Sequence, residues 1–202
     1  MTTLANRLLV GGFLLTALVS GTALAEGPEV VAVTATQRGD ILVERSGGTR
    51  DEPLRLVGGT FVVRRLLLSP DGTEVVILAA DVTNLDWASR VFAFNPKQGT
   101  LRTIYDTFAD RWNGPHFLLD AAVQAGRSNK RYPDNDLTDI FYDVKGVLHF
   151  TNEDRDTFAV DIQEGAVVGV SLVREVALAP KPKVEETKVG DERAFRILLP
   201  LR

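Results

Sequence analysis

FVVRRLLL (61–68), SPDG (69–72), TEVVILAAD (73–81), RVFAFN (90–95), PKQG (96–99) and TLRTIYD (100–106) follow one another from Phe61 to Asp106. They are four β-type runs separated by turn chemistry. Pro70-Asp71-Gly72 and Asn95-Pro96-Lys97-Gln98-Gly99 read as turns because Pro presets φ and Gly accepts the positive φ that closes a hairpin. The stretch therefore predicts a four-stranded antiparallel meander. Val75 to Ala80 is continuously apolar, the pattern of a strand buried on both faces, as the inner strands of stacked sheets are. Leu101, Ile104 and Tyr105 share their run with Thr and Arg, which suits a more peripheral strand. The polar gap from Asp81 to Ser89 is a loop whose Trp87 either folds over the core edge or serves as a binding platform.

Upstream, EVVAVTAT (29–36) and ILVERS (41–46) flank the turn Gln37-Arg38-Gly39-Asp40, a second hairpin. Its Arg-Gly-Asp triplet reads as ordinary turn chemistry rather than as an adhesion motif. A polar loop (46–53), the short run LRLV (54–57) and the Gly58-Gly59 break lead into Phe61. Downstream, residues 107–139 break the strand rhythm. Asn113-Gly114-Pro115 introduces HFLLDAAVQA (116–125), either a short helix ending at Gly126, with Leu118, Leu119, Ala122 and Val123 on one face, or a strand. GRSNKRYPDNDLTD (126–139) is a polar surface loop.

Strand signals resume with IFYDV (140–144), VLHFT (147–151), DTFAVDI (156–162) and AVVGVSLV (166–173), joined by turns at Lys145-Gly146, Asn152 to Arg155 and Gln163-Glu164-Gly165. In the last run, simple alternation puts Ala166, Val168, Val170 and Leu172 on one face. Pro180 and Pro182 mark an extended linker over 179–184, and AFRILLPLR (194–202) is one more strand. SPDGTEVVILA followed by RVFAFNPKQGTLRTI parallels DVKGVLHFT followed by DTFAVDIQEGAVVGV. This layout resembles the repeats of TolB-like and related periplasmic β-propeller proteins over residues 61–174. The resemblance implies fold more than activity. Glycines 39, 72, 114, 146 and 190 are spaced by 33, 42, 32 and 44 residues, near the ~40–45 of a propeller blade. The expected fold is mainly β, with four-stranded antiparallel meanders arranged propeller-like; a two-sheet β-sandwich is the alternative.

The first residues stand apart. Arg7 precedes the apolar run LLVGGFLLTALVSG (8–21), which ends in Thr22-Ala23-Leu24-Ala25. A basic residue, a short apolar core and an A-x-A ending predict a secretory signal-peptide helix over 1–25, cleaved after Ala25. An uncleaved anchor is the rival reading, since the run approaches the ~20 apolar residues that span a bilayer. The remaining chain, 26–202, reads as a single periplasmic or secreted β domain with no further membrane span. Its 25% charged and 45% hydrophobic residues suit a globular protein. Removing Arg7 turns the formal balance of 23 basic and 27 acidic side chains into 22 and 27, or −5. That charge argues against a nucleic-acid partner. The sequence has no Cys, which excludes disulfides, thiolate metal sites and a Cys nucleophile.

Motif chemistry is sparse. The 26–202 segment contains no G-x-S-x-G elbow, H-E-x-x-H or G-x-x-x-x-G-K. His116, beside Trp112 and Asn113, is the better placed of the two histidines for proton transfer; His149 reads as a strand residue. Asp134, Asp136 and Asp139, and Glu153, Asp154 and Asp156, are acidic clusters without the spacing of a calcium loop. No metal or cofactor is expected. The binding candidates are Trp112, His116, Arg127, Arg131 and Tyr132, chosen because irregular segments on a sheet scaffold usually carry function. The expected role is a non-enzymatic binding or scaffold protein of the envelope with a protein or saccharide partner. The alternatives are a polysaccharide or peptide hydrolase or lyase using His116 with Asp110 or Asp120, and an accessory subunit pairing through an exposed edge strand.

Overall fold

The computed structural model describes residues 28–83, 88–126 and 136–200. The segment 1–25 and Trp87 lie outside them. Three antiparallel sheets, not two, account for the strands of the described residues. The second is the stretch that opened the sequence analysis: β4 (Phe61–Leu68), β5 (Val75–Asp81), β6 (Ala88–Asn95) and β7 (Thr100–Asp106), in that spatial order. Its turns close as their residues require. Asp71 Oδ1 accepts hydrogen bonds from the Ser69 hydroxyl at 2.6 Å and from the Thr73 amide at 3.0 Å, and Gly72 takes φ +70°. Asn95 Oδ1 accepts from the amides of Lys97 and Gln98, both at 3.1 Å. Asx side chains here bond to the backbone that turns around them.

The third sheet is a meander as well: β8 (Leu137–Tyr142), β9 (Leu148–Asn152), β10 (Thr157–Gln163) and β11 (Ala166–Val173), with β11 at one edge. The first sheet joins the two ends of the described chain. Here β1 (Val30–Thr36) pairs with β2 (Asp40–Arg45), which pairs with the two-residue β3 (Leu54–Arg55). On its other side β1 pairs with β13 (Glu192–Leu198), which pairs with β12 (Val184–Val189). The apolar tail is therefore a strand, as expected, but β12 is an addition: VEETKV carries too little apolar alternation to show as one. The segment 179–184 is only partly a linker. Ala177 and Ala179 exchange backbone hydrogen bonds with Val144 and Tyr142 along the edge of β8, and Pro180 and Pro182, lacking N–H groups, end that pairing.

Alternation along β5 places the second sheet between the other two. Val75, Ile77 and Ala79 enter a core with Val33, Ile41, Val43 and Ile197 of the first sheet. Val76 and Leu78 enter another with Ile140, Leu148, Phe150 and Phe158 of the third. Phe92 and Phe94 of β6 follow the first set, and Val91 and Ala93 the second. A continuous apolar run on a period-2 scaffold has this consequence: neither face is left for water. One expectation fails. A register shift between Asp161 and Ile162 inserts an extra residue into β11, so Val167, Val170 and Leu172 pack inward. Ala166 and Val168 are exposed instead.

Residues 107–126 form helices α1 (Thr107–Trp112) and α2 (Phe117–Gln124), the latter ending before Gly126 at φ +77°. The helical reading of HFLLDAAVQA therefore holds, but the buried residues are Leu118, Ala121 and Ala122, with Leu118 and Ala121 in the second core, while Val123, expected on the same face, is exposed. No helix among the described residues is long and apolar enough to cross a membrane.

Because Ile77 and Leu78 fill separate cores, each change to Ala should lower the free energy of unfolding by about 2–5 kcal/mol, while Thr103→Ala, at an exposed position of β7, should stay within about 0.5 kcal/mol. Urea unfolding followed by circular dichroism measures this. A cost below about 1 kcal/mol at either core position would contradict the central placement of β5.

Candidate functional site: the helical insert

The insert is held against one end of the second sheet by buried polar groups. Asp106, the last residue of β7, caps α1 by accepting from the amides of Phe108 (3.0 Å) and Ala109 (3.1 Å). Thr107 Oγ1 accepts from the Ser89 amide at 2.8 Å and donates to the Ser89 carbonyl at 3.0 Å, stapling α1 to the start of β6. Arg90 lies between Asp81 (3.3 Å) and Asp106 (2.7 Å) and donates to the Gly58 carbonyl at 2.9 Å. Its Nε is close to Asp106 but poorly aligned, so that contact counts as charge attraction rather than as a directed hydrogen bond. Gly59 is needed beside it, because a Cβ there would come within 2.8 Å of the Asp81 carboxylate.

Asp136, which the sequence grouped with possible cation ligands, has another task. Its Oδ1 accepts from Arg64 at 2.7 Å and from the Ser89 hydroxyl at 2.8 Å, and the Ser89 oxygen accepts the Leu137 amide at 2.8 Å. Asp139 faces Arg65 at 3.0 Å instead. Among the described residues, no three His, Asp or Glu side chains converge as a metal site would require.

Between the helices, Gly114 passes so close to α1 that a Cβ would sit 2.7 Å from the Ala109 carbonyl. His116 then takes the left-handed conformation (φ +60°) at the N-cap of α2, and its side chain makes no capping bond. Asp110 supplies the cap. This carboxylate, 3% exposed, accepts from the amides of Phe117 (2.8 Å) and Leu118 (3.3 Å) and from the Tyr105 hydroxyl (2.9 Å). Asp120 is exposed on the first turn of α2.

Trp112 projects from the last turn of α1 with 53% of its surface exposed. The Arg111 guanidinium lies 4.9 Å from its ring centroid, and Phe108 supports it at 6.4 Å. Trp112 and His116 thus share one insert; Arg127, Arg131 and Tyr132 lie outside the described residues. The sequence reading missed a second feature, a cavity of about 500 Å³ on the first sheet, lined by Thr34, Leu42, Arg50 and Glu185 among others. There Arg196 joins Glu44 (3.0 Å) and Glu185 (3.8 Å). The charged residues of β2, β12 and β13 were visible in the sequence, but their pairing across distant strands was not.

His149 is buried, as 3% exposure shows, with its ring stacked 5.1 Å from Phe141 and Nε2 3.3 Å from Asp143. The Asp143 carboxyl is held below the ordinary carboxylate range, first by the Val147 N–H and then by His149 and the Lys145 N–H. Asp71 is lowered by the Ser69 hydroxyl and the Thr73 N–H, and Asp51 by the Arg45 guanidinium. No protein-family model matches the chain, and no curated protein is significantly similar to it.

Two outcomes follow from this geometry. Asp110→Ala leaves two amides and a phenol without their acceptor, so it should cost about 1–3 kcal/mol and speed hydrogen exchange at Phe117 and Leu118; unchanged exchange there would contradict the cap. Carboxylates whose folded pKa is depressed stabilise the fold above the unfolded value and lose that effect as pH falls through the folded one. Urea midpoints should therefore hold from pH ~7 to ~4 and fall below that. A midpoint that rises below pH ~4 would reverse the sign.

Proposed function

We propose that this is an exported, non-enzymatic binding or scaffold protein of the cell envelope, presenting its helical insert to a protein or saccharide partner. The observation that carries this reading is Trp112: half exposed, on a helix capped by the half-buried carboxylate of Asp106 and tied to α2 by the buried carboxylate of Asp110, with Arg111 over its face. A rigid indole with a guanidinium beside it suits either a sugar face or an apolar side chain, and such groups dominate binding energy at interfaces. Arg127, Arg131 and Tyr132 extend the same contact region in the proposal. The leader-like first 25 residues support export. The scaffold is a propeller-like succession of sheets, a reading supported by the burial of both faces of the second sheet and by the resemblance to TolB-like repeats.

The test is Trp112→Ala, compared with the unaltered chain in binding to saccharide arrays and to envelope fractions. Affinity for the selected partner should fall at least ~10-fold, about 1.4 kcal/mol, with the unfolding temperature unchanged. Equal binding by both forms would defeat the assignment of this surface. Cleavage of an envelope polymer by the wild type, abolished in His116→Ala, would replace binding by catalysis.

A further inference from the structure

Alternation along four strands of the first sheet turns one set of side chains away from the core. Val33, Ile41, Val43 and Ile197 point into that core and Val184 packs against it, so Thr34, Leu42, Glu44, Arg196 and Glu185 face the other way. Strand pairing then lines them up. Glu185 lies opposite Arg196, Arg196 opposite Thr34, and Thr34 opposite Leu42, one residue from each of β12, β13, β1 and β2. With ~4.8 Å between strands, this row crosses about 14 Å of sheet. Glu44 faces Arg50 beyond it. These residues line the cavity of about 500 Å³, a size that accommodates small ligands.

Three properties of the row define what fits it. Its charges cancel: Arg196 Nη2 donates to Glu44 at 3.0 Å, Nη1 lies 3.8 Å from Glu185, and Arg50 balances the second carboxylate. Lys188 alternates with Thr187 and so belongs to the opposite face. An ionic ligand would therefore find no excess charge to answer its own. A hydroxyl is left over. Thr34 is only 9% exposed, yet its side chain has no hydrogen-bond partner among the described residues. Buried polar groups are normally bonded, as Thr36 on the same strand is, accepting the Asp40 amide at 3.1 Å. Apolar surface is scarce, since Leu42 is the one large aliphatic side chain of the row.

A sugar answers all three conditions. Each of its hydroxyls both donates and accepts, so neighbouring hydroxyls can donate to Glu185 or Glu44 while accepting from Arg196 and Thr34. An extended peptide pairs with the edge of a sheet rather than its face. We propose that the outer face of the first sheet is a binding groove for a neutral saccharide, laid across the strands from β12 to β2 with Arg196 and Thr34 at its centre. The groove shares no residue with the helical insert, and either surface can fail without the other.

Titration of the ¹⁵N-labelled protein with maltohexaose, cellohexaose and xylohexaose tests this, with oligogalacturonate and oligoglucosamine as the anionic and cationic counterparts. At least one neutral oligosaccharide should shift the amides of Thr34, Thr187 and Arg196 with a Kd of ~1 mM or below. That affinity should be the same at ~0.05 and ~0.5 M salt. Thr34→Val keeps the shape and removes the hydroxyl, so it should weaken binding at least ~3-fold with no loss of unfolding temperature. Glu185→Ala, on the edge strand, should weaken it as well. Groove amides that stay still with every neutral oligosaccharide, shifts confined to the insert around Trp112, tighter binding of a charged oligosaccharide that salt abolishes, or undiminished affinity in both variants would each overturn the proposal.

Discussion

The inner strands of the second sheet, β5 and β6, have no face turned to water, and much else in the structure answers to that condition. A sheet buried on both sides must be apolar on both sides, which Val75 to Ala80 achieves with no polar residue. It also needs a sheet to cover each face. The third comes from the next four strands in the chain. The first is assembled from both ends of the described chain, with β13 against β1. The pairing of Ala32 with Leu198 spans most of the sequence; such contacts are reached only after much of the loop entropy has been lost.

Polar groups collect where the buried strands end. Asp81 closes β5, Ser89 and Arg90 open β6, Asp106 closes β7, and Asp136 precedes β8. Burying any of these alone would be expensive, so they satisfy one another across elements. Arg90 takes two carboxylates, and Asp136 takes Arg64 and Ser89. Asp106 is counter-charge to Arg90 and cap to α1 at once. The helical insert thus grows from the same polar layer that finishes the central sheet, and the orientation of Trp112 follows from it.

Local chemistry was legible in the sequence and distant pairing was not. Pro70-Asp71-Gly72 and the Asn95 turn could be read because each turn is made by the residues that spell it. The two-sided burial of β5 could be read because period-2 alternation leaves its imprint on a short window. The bulge at Val168 escaped notice because alternation has no term for an inserted residue, and it moved Ala166 and Val168 to the solvent side. Helix α1 begins at a good cap, Asp106, but six residues after a strand carry no helical period. Asp110 looked like a candidate acid beside His116; its burial and its bonds to Phe117 and Leu118 follow from the sharp passage at Gly114, which no spacing rule anticipates. The segment that carries Trp112 and His116 reads as irregular in sequence but is helical in α1 and α2, and His116 sits at the N-cap of α2 without a side-chain capping bond.

Native-state hydrogen exchange resolved by residue tests the central claim most directly. If the second sheet is covered on both faces, amides of Val76 to Leu78 and of Val91 to Ala93 exchange only through global unfolding. Their apparent free energies then equal the stability measured by denaturant, while β3 and β11 exchange through smaller openings. Amides of β5 that exchange as readily as those of β11 would contradict the account.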